Sequence, residues 1–208
     1  MYQSGYLTID EAFQTRRGME YKVKLPNEEV KISFFDYVID YLTNQQSNRL
    51  TYQDNLYDAL KDGNLEEFKN TLISLFASIP YNNYTNNKIY EYEGFYASVV
   101  YSYLQSLGLD IIGEDVTNLG RVDLTLFIEN KIYIIEFKVV DELVTVDSDR
   151  IEVKSNSALE QIKAKKYYQK YLPLETKNHK PKTIYLVGIE FCKSTKNICS
   201  FAWEEIGK

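Results

Sequence analysis

The chain has 208 residues, with 24 Lys and Arg against 30 Asp and Glu and a formal net charge of −6, a balance unlike that of a dedicated nucleic-acid coat. Its length suits one compact unit with a helical appendage, or two small subdomains sharing a core. A single histidine, His179, makes a zinc site or a histidine-dependent triad improbable, and with no signal peptide or membrane-length apolar stretch the expectation is a cytoplasmic protein.

In chain order, residues 1–30 read as a linker with short extended pieces at 6–9 and 21–25. Residues 31–80 read as a helical module. Ile32, Phe35, Val38, Ile39 and Leu42 fall at helical spacing within 30–42, a shorter helix covers 52–60, and Asn64 with Glu67 forms a capping-box-like start to a helix reaching residue 77. No phosphate-cradling glycine loop of the Walker type occurs. From 93 to 107 the large apolar residues again follow a helical stripe, and Gly108 ends it. Strands are expected at 109–112, 122–128 and 131–139, then a helix over 157–171 closed by Pro173, then strands at 183–191 and 198–203. The polar stretch 140–157 reads as a loop flanking a cleft, with Asp141 and Glu142 as exposed turn acids. Cys192 and Cys199 flank the last hairpin turn, and a reducing compartment favours free thiols there.

The strands at 122–128 and 131–139 are apolar, yet they carry Asp123, Glu136 and Lys138. If Glu129 and Asn130 form a tight loop, Ile128 pairs with Lys131 and Asp123 falls opposite Glu136, with Cβ atoms about 5 Å apart. If the loop is Asn130 and Lys131, Asp123 faces Lys138, and all three groups still share one face. An odd-length loop without a bulge would separate them. Two ionised carboxylates at that spacing repel by roughly 3 kcal/mol at an effective dielectric of 20, which calls for a compensating cation. An all-oxygen pair without thiolate or imidazole suits a hard divalent ion, Mg2+ or Mn2+, and Lys138 adds a point charge suited to a water or a phosphate oxygen. The bland alternative is a salt bridge at the end of a strand pair.

Gly120-Arg-Val-Asp123, followed after a hairpin by Ile134-Ile-Glu-Phe-Lys138, resembles the active-site signature of the PD-(D/E)XK nuclease superfamily. The segments Ala77-Ser-Ile-Pro-Tyr81, Tyr92-Glu-Gly-Phe-Tyr-Ala-Ser98, Glu114-Asp-Val-Thr-Asn118 and Tyr185-Leu-Val-Gly-Ile189 extend the resemblance to the nuclease-like domain at the C-terminus of predicted bacterial and archaeal AAA-type ATPases. The resemblance implies an α/β fold with a restriction-endonuclease-like core (helix, three-stranded meander, helix, strand) over residues 81–208, and the order of the elements above agrees with it. Residues 2–9 look like the junction that follows the ATPase domain, so a larger protein is expected, with Met1 an added start.

Glu93 shares the apolar face of its helix with Tyr96, Val100, Tyr103 and Leu107, and the resemblance makes it a third metal ligand. Its alternative role is to complement the helix dipole, and Glu91 is a rival. On the helix over 157–171, Gln161 shares a face with Ala158, Lys165 and Tyr168. Related nucleases carry a tyrosine four residues after this glutamine, where this chain has Lys165, so the partner of Gln161 is left open between Tyr167, Tyr168 and none. Ten lysines between 154 and 196 face only Glu160, Glu175 and Glu190. Lys163, Lys165 and Lys166 are therefore candidate nucleic-acid contacts, or else a solvated helix face.

The expectation is a metal-dependent nuclease hydrolysing phosphodiester bonds, DNA in the first instance. Asp123 and Glu136 hold Mg2+ or Mn2+, Lys138 serves the water, and Glu93 and Gln161 assist. The alternatives are an inactive nucleic-acid-binding or regulatory module of the attached ATPase, and a purely structural interaction domain.

Overall fold

In a computed structural model that describes residues 6–84, 89–141, 144–147, 150–153, 155–172 and 183–206, the chain begins with a hairpin of β1 (Thr8–Thr15) and β2 (Gly18–Lys24). The extended pieces expected at 6–9 and 21–25 are parts of this longer ribbon. Its register sets Ile9 opposite Val23, Ala12 opposite Tyr21 and Gln14 opposite Met19, which collects apolar side chains on one exposed face. Helix α1 (Glu28–Thr43) starts where Asn27 Oδ1 accepts the Val30 N–H, and α3 (Leu65–Ala77) starts where Asn64 Oδ1 accepts the Glu67 N–H. With α2 (Arg49–Asp62) between them, all three expected helices are present.

Helix α4 (Glu93–Ser106) buries the expected stripe and leads into β3 (Asp110–Thr117), β4 (Gly120–Ile128) and β5 (Lys131–Val140). β3 runs on past the expected residue 112, because its polar half pairs with the start of β4. The segment 140–157 is not all loop: β6 (Val144–Asp147) and β7 (Arg150–Val153) form a small hairpin with Val144 opposite Val153 and Val146 opposite Ile151. Helix α5 (Ser157–Lys165) is shorter than the expected 157–171. Lys166 takes the left-handed conformation (φ 49°) and closes it, and a 3-10 turn, Tyr167–Tyr171, follows. β8 (Thr183–Cys192) then pairs parallel with β5, and β9 (Asn197–Ile206) antiparallel with β8. Pro173, Lys154, Lys177, His179, Lys180, Lys182 and Glu142 lie outside the described residues.

The five-stranded sheet has the order β3-β4-β5-β8-β9. Tyr133, Ile135 and Phe137 of β5 pack into a large core with residues of α1 to α4, whereas Ile132 and Ile134 pack into a smaller one with Ile162 of α5. The sheet is thus the middle of three layers. Polar anchors fix the upper helices: the Tyr133 hydroxyl donates to Leu60 O and Lys131 to Lys61 O, capping α2 from β5, and the Tyr103 hydroxyl donates to the buried Gln45.

Cys192 and Cys199 are bridged, with Cα atoms 5.7 Å apart, which corrects the expectation of free thiols. Glu190 faces Ser200 but Phe191 faces Ile198, so Cys199 is the extra residue of a bulge, and that slip brings it beside Cys192.

The lower layer depends on one glycine. Gly188 of β8 is the register partner of Glu136. A Cβ there would lie 2.3 Å from both Asn156 Oδ1 and the Leu159 nitrogen, so the first turn of α5 sits directly on the strand. Asn156 caps α5 through the Leu159 N–H and donates to Gly188 O, while buried Glu190 accepts the Ser157 N–H and hydroxyl. Gly188→Ala is expected to destabilise the chain by about 1–3 kcal/mol through displacement of α5. Gly94→Ala, where a Cβ meets nothing within 4 Å, is expected to be neutral or slightly stabilising. Urea unfolding of the two variants checks the pair.

Candidate active site

Glu129 and Asn130 join β4 to β5 with Ile128 opposite Lys131, the first of the two registers considered, and Glu129 takes φ 50° to make the turn. The ladder runs back to Leu124 opposite Ile135 and stops there. One step further the main-chain rungs give way to side-chain ones. Phe137 N–H donates to Asp123 Oδ2 at 2.8 Å, and Asp123 N–H donates to Glu136 Oε2 at 3.4 Å. The two acids thus cross over the gap between splayed strands, each tied to the other's strand.

Their environment disfavours charge. Glu136 is 3 % exposed. Burial, with a further push from the charge of Asp123, raises its carboxyl to about 7 against the opposing pull of Lys138. Asp123 is also raised, burial outweighing the Phe137 N–H and the Lys138 charge that favour ionisation. Lys138 Nζ lies 3.7 Å from Glu136 Oε1 and is partly open to solvent. Glu93 comes to the same end of β5 from the opposite layer: it stands at the first position of α4, near the Val139 N–H. Burial raises its carboxyl, with Lys138 lowering it and Asp123 raising it further. Its rival Glu91 lies in the preceding 3-10 turn, where its charge acts on Lys193.

Gln161 is not a solvated helix residue. Its amide donates to Glu136 Oε1, which fixes that carboxylate from below. Tyr167 is the tyrosine that comes near it: it is buried, lies close enough to the Gln161 amide to be influenced by it, and feels the charges of Glu136 and Asp123. Sequence spacing left this pairing open because it assumed a helix through residue 171. The left-handed break at Lys166 swings Tyr167 back over the sheet, and Gly120 leaves room for it, since a Cβ there would lie 3.0 Å from the Tyr167 hydroxyl.

The three candidate lysines differ. Lys163 is paired with Glu204 of β9 at 3.0 Å and with Glu160 at 3.9 Å, whereas Lys165 and Lys166 are exposed and make no ion pair among the described residues. Asp141, an expected exposed acid, pairs with Lys193 at 2.8 Å. One polar cluster was missed. Asp115 of β3 is buried and accepts from Thr125 at 2.8 Å, from Lys170 and from the Tyr171 hydroxyl. Burial opposes its ionisation, yet these donors win and hold its carboxyl below the usual range. An acid between Glu114 and Val116 carries no sequence signal for this role.

The donor set fits a hard divalent cation. A buried carboxylate, Glu136, stands beside the half-buried Asp123; burial raises both above their ordinary range and the charge of Asp123 raises Glu136 further, so a cation between them would lower the cost of ionisation. Among the described residues no three His, Cys, Asp or Glu side chains converge as a closed cage. Such a site would rest on the Asp123 and Glu136 pair and on water, as Mg2+ commonly does.

Residues 91–201, more than half of the chain, match the family model of the PD-(D/E)XK nuclease superfamily. The chain belongs to that superfamily, and its mixed five-stranded sheet with helices on both faces is the restriction-endonuclease-like α/β fold. It is 33 % identical over 207 residues to the uncharacterised protein in the vnfD 5′ region of Azotobacter chroococcum mcd 1. That similarity covers the whole of this chain and 37 % of the relative, so the chain spans little more than a third of that protein's length. No solved structure matches it.

The raised carboxyl of Glu136 sets a pH signature. An acid with a higher pKa in the folded chain than in the unfolded one contributes its stability below the ordinary value of 4.5, and loses it as pH rises through about 7. Glu136→Gln removes this dependence. Its stability relative to the unsubstituted chain is expected to rise between those two values, by on the order of 3 kcal/mol, and then level off. Urea titrations across that range measure it, and a flat difference would contradict the assignment.

Proposed function

We propose that the chain is a nuclease that hydrolyses phosphodiester bonds with the help of Mg2+ or Mn2+, with DNA as the substrate. The observation that carries this reading is the crossed pair of acids, Asp123 and the buried Glu136, with Lys138 beside it, inside the segment that matches a nuclease superfamily. Asp123 and Glu136 would hold the ion. When bound, it supplies charge stabilisation for the phosphate and a water of lowered pKa.

The protein groups do the remainder. Gln161 holds Glu136 Oε1 in place, and buried Tyr167 packs close to Gln161, so one carboxylate is oriented before substrate arrives. The Lys138 ammonium, on the open side of the pair, is placed to donate a hydrogen bond to the attacking water or to a phosphate oxygen. Glu93, whose carboxylate feels both Lys138 and Asp123, adds a group that can accept a proton from that water or hold a further water.

We further propose that the chain acts as the C-terminal, nuclease-like part of an AAA-type ATPase protein, over residues 81–208, behind a helical module at 31–80 and a junction at 1–30, in the cytoplasm of a bacterium. Two observations support a partner domain. The chain matches little more than a third of a longer relative, and the apolar face of the β1–β2 hairpin is exposed, with no other described element packed closely on it. The same observations favour the second reading, an inactive module that binds nucleic acid or regulates the ATPase, because a fold does not by itself establish activity. Among the described residues no helix is long and apolar enough to cross a membrane.

Incubation with DNA and Mg2+ or Mn2+ separates the readings. Cleavage is expected, and Asp123→Ala and Lys138→Ala are each expected to slow it by at least about a hundredfold. Cleavage that persists unchanged in both variants would sink the assignment, and DNA binding without cleavage would favour the second reading.

A further inference from the structure

A cleft of about 460 Å³ opens between the turn that joins β3 to β4 and the 3-10 turn that follows α5. This volume lies in the range of sites that hold small organic ligands. Thr117 and Asn118 stand on one wall, Lys166, Gln169 and Lys170 on the other, and Tyr167 forms part of the lining. Tyr167 also feels the charges of Glu136 and Asp123, so one wall residue links the cleft to the acid pair.

The lining is cationic and rich in hydrogen-bonding groups, and it contains no carboxylate. Its two lysines have different duties. Lys170 is bound to buried Asp115 and to Val116 O, so its charge is matched and it clamps the turn to the edge strand. Lys166 has no ion partner among the described residues, and the positive charge of the cleft rests on it. It also occupies the left-handed position that ends α5, an unfavourable conformation for any residue with a Cβ and one where glycine or asparagine is usual.

We propose that this cleft seats the nucleotide next to the scissile phosphate, with Lys166 neutralising its phosphate and Thr117, Asn118 and Gln169 hydrogen-bonding to its sugar or base. This rests on the nuclease reading above and deepens it. Of the lysine-rich patch, the cleft takes Lys166 and leaves Lys163 to its pairing with Glu204.

Fluorescence anisotropy of a labelled single-stranded oligodeoxynucleotide, titrated with the full chain in EDTA, reads binding without cleavage. Lys166→Glu is expected to weaken binding about tenfold and to lower the salt dependence by about one phosphate contact, while Lys69→Glu on α3 changes neither. Lys166→Gly separates binding from folding: it removes the charge and relaxes the backbone, so the Tm is expected to rise while binding falls. Binding that is unchanged in both Lys166 variants, or absent from the unsubstituted chain, overturns the cleft assignment. Cleavage that depends on Asp123 would leave the nuclease reading standing in either case, whereas Lys166-dependent binding without any cleavage would uphold the cleft and count against that reading.

Discussion

Two carboxylates of like charge, the half-buried Asp123 and the buried Glu136, stand side by side where the β4–β5 ladder opens, and most of the surrounding structure is arranged to keep them there. Left alone, such a pair would draw in water or push the strands apart. Each acid instead accepts an N–H from the other's strand, so their lone pairs replace the missing rungs of the sheet. Glu136 gains a second tether from Gln161 and a nearby cation in Lys138. Even so, burial and repulsion keep it at about 7. The pair is therefore held in position while its charge is left incompletely compensated, and this is the electrostatic condition that favours a divalent ion.

The scaffold delivers these groups from three directions. β4 and β5 bring the acids and the lysine, α4 brings Glu93 from the upper layer, and α5 brings Gln161 from the lower one. The lower layer has little tolerance: the first turn of α5 rests on Gly188, the register partner of Glu136 itself, and Glu190 two residues on takes the Ser157 N–H. Contact between helix and strand at that point sets the distance of Gln161 below Glu136. Asp115, through Lys170 and Tyr171, then pins the turn that carries Tyr167. Rigid elements thus carry the first contacts, and buried hydrogen bonds carry the second.

Much of this was legible from spacing alone. The helix stripes and the shared face of Asp123, Glu136 and Lys138 follow from periods of 3.6 and 2.0, which are strong over apolar segments, whereas the choice of Glu129 and Asn130 over the neighbouring loop does not. What escaped lies where pattern is weak. The end of α5 at Lys166 breaks no apolar stripe, since Tyr167, Tyr168 and Tyr171 would continue one, and only the tertiary pull of Asp115 and Gly120 shows why the chain turns there. The β6–β7 hairpin alternates Val-Thr-Val-Asp with Arg-Ile-Glu-Val, a period of two that was too short to stand out in an acidic stretch. The bridge between Cys192 and Cys199 depends on a one-residue slip in the register of β8 and β9, which no local sequence rule announces.

Calorimetric titration of Mn2+ or Mg2+ into the chain near neutral pH, beside Asp123→Ala and Glu136→Gln, tests the central claim most directly. The account predicts one binding event accompanied by proton release, because Glu136 must ionise to accept the ion, and loss of that event in both variants. Absence of binding, or binding that both variants retain, would contradict it.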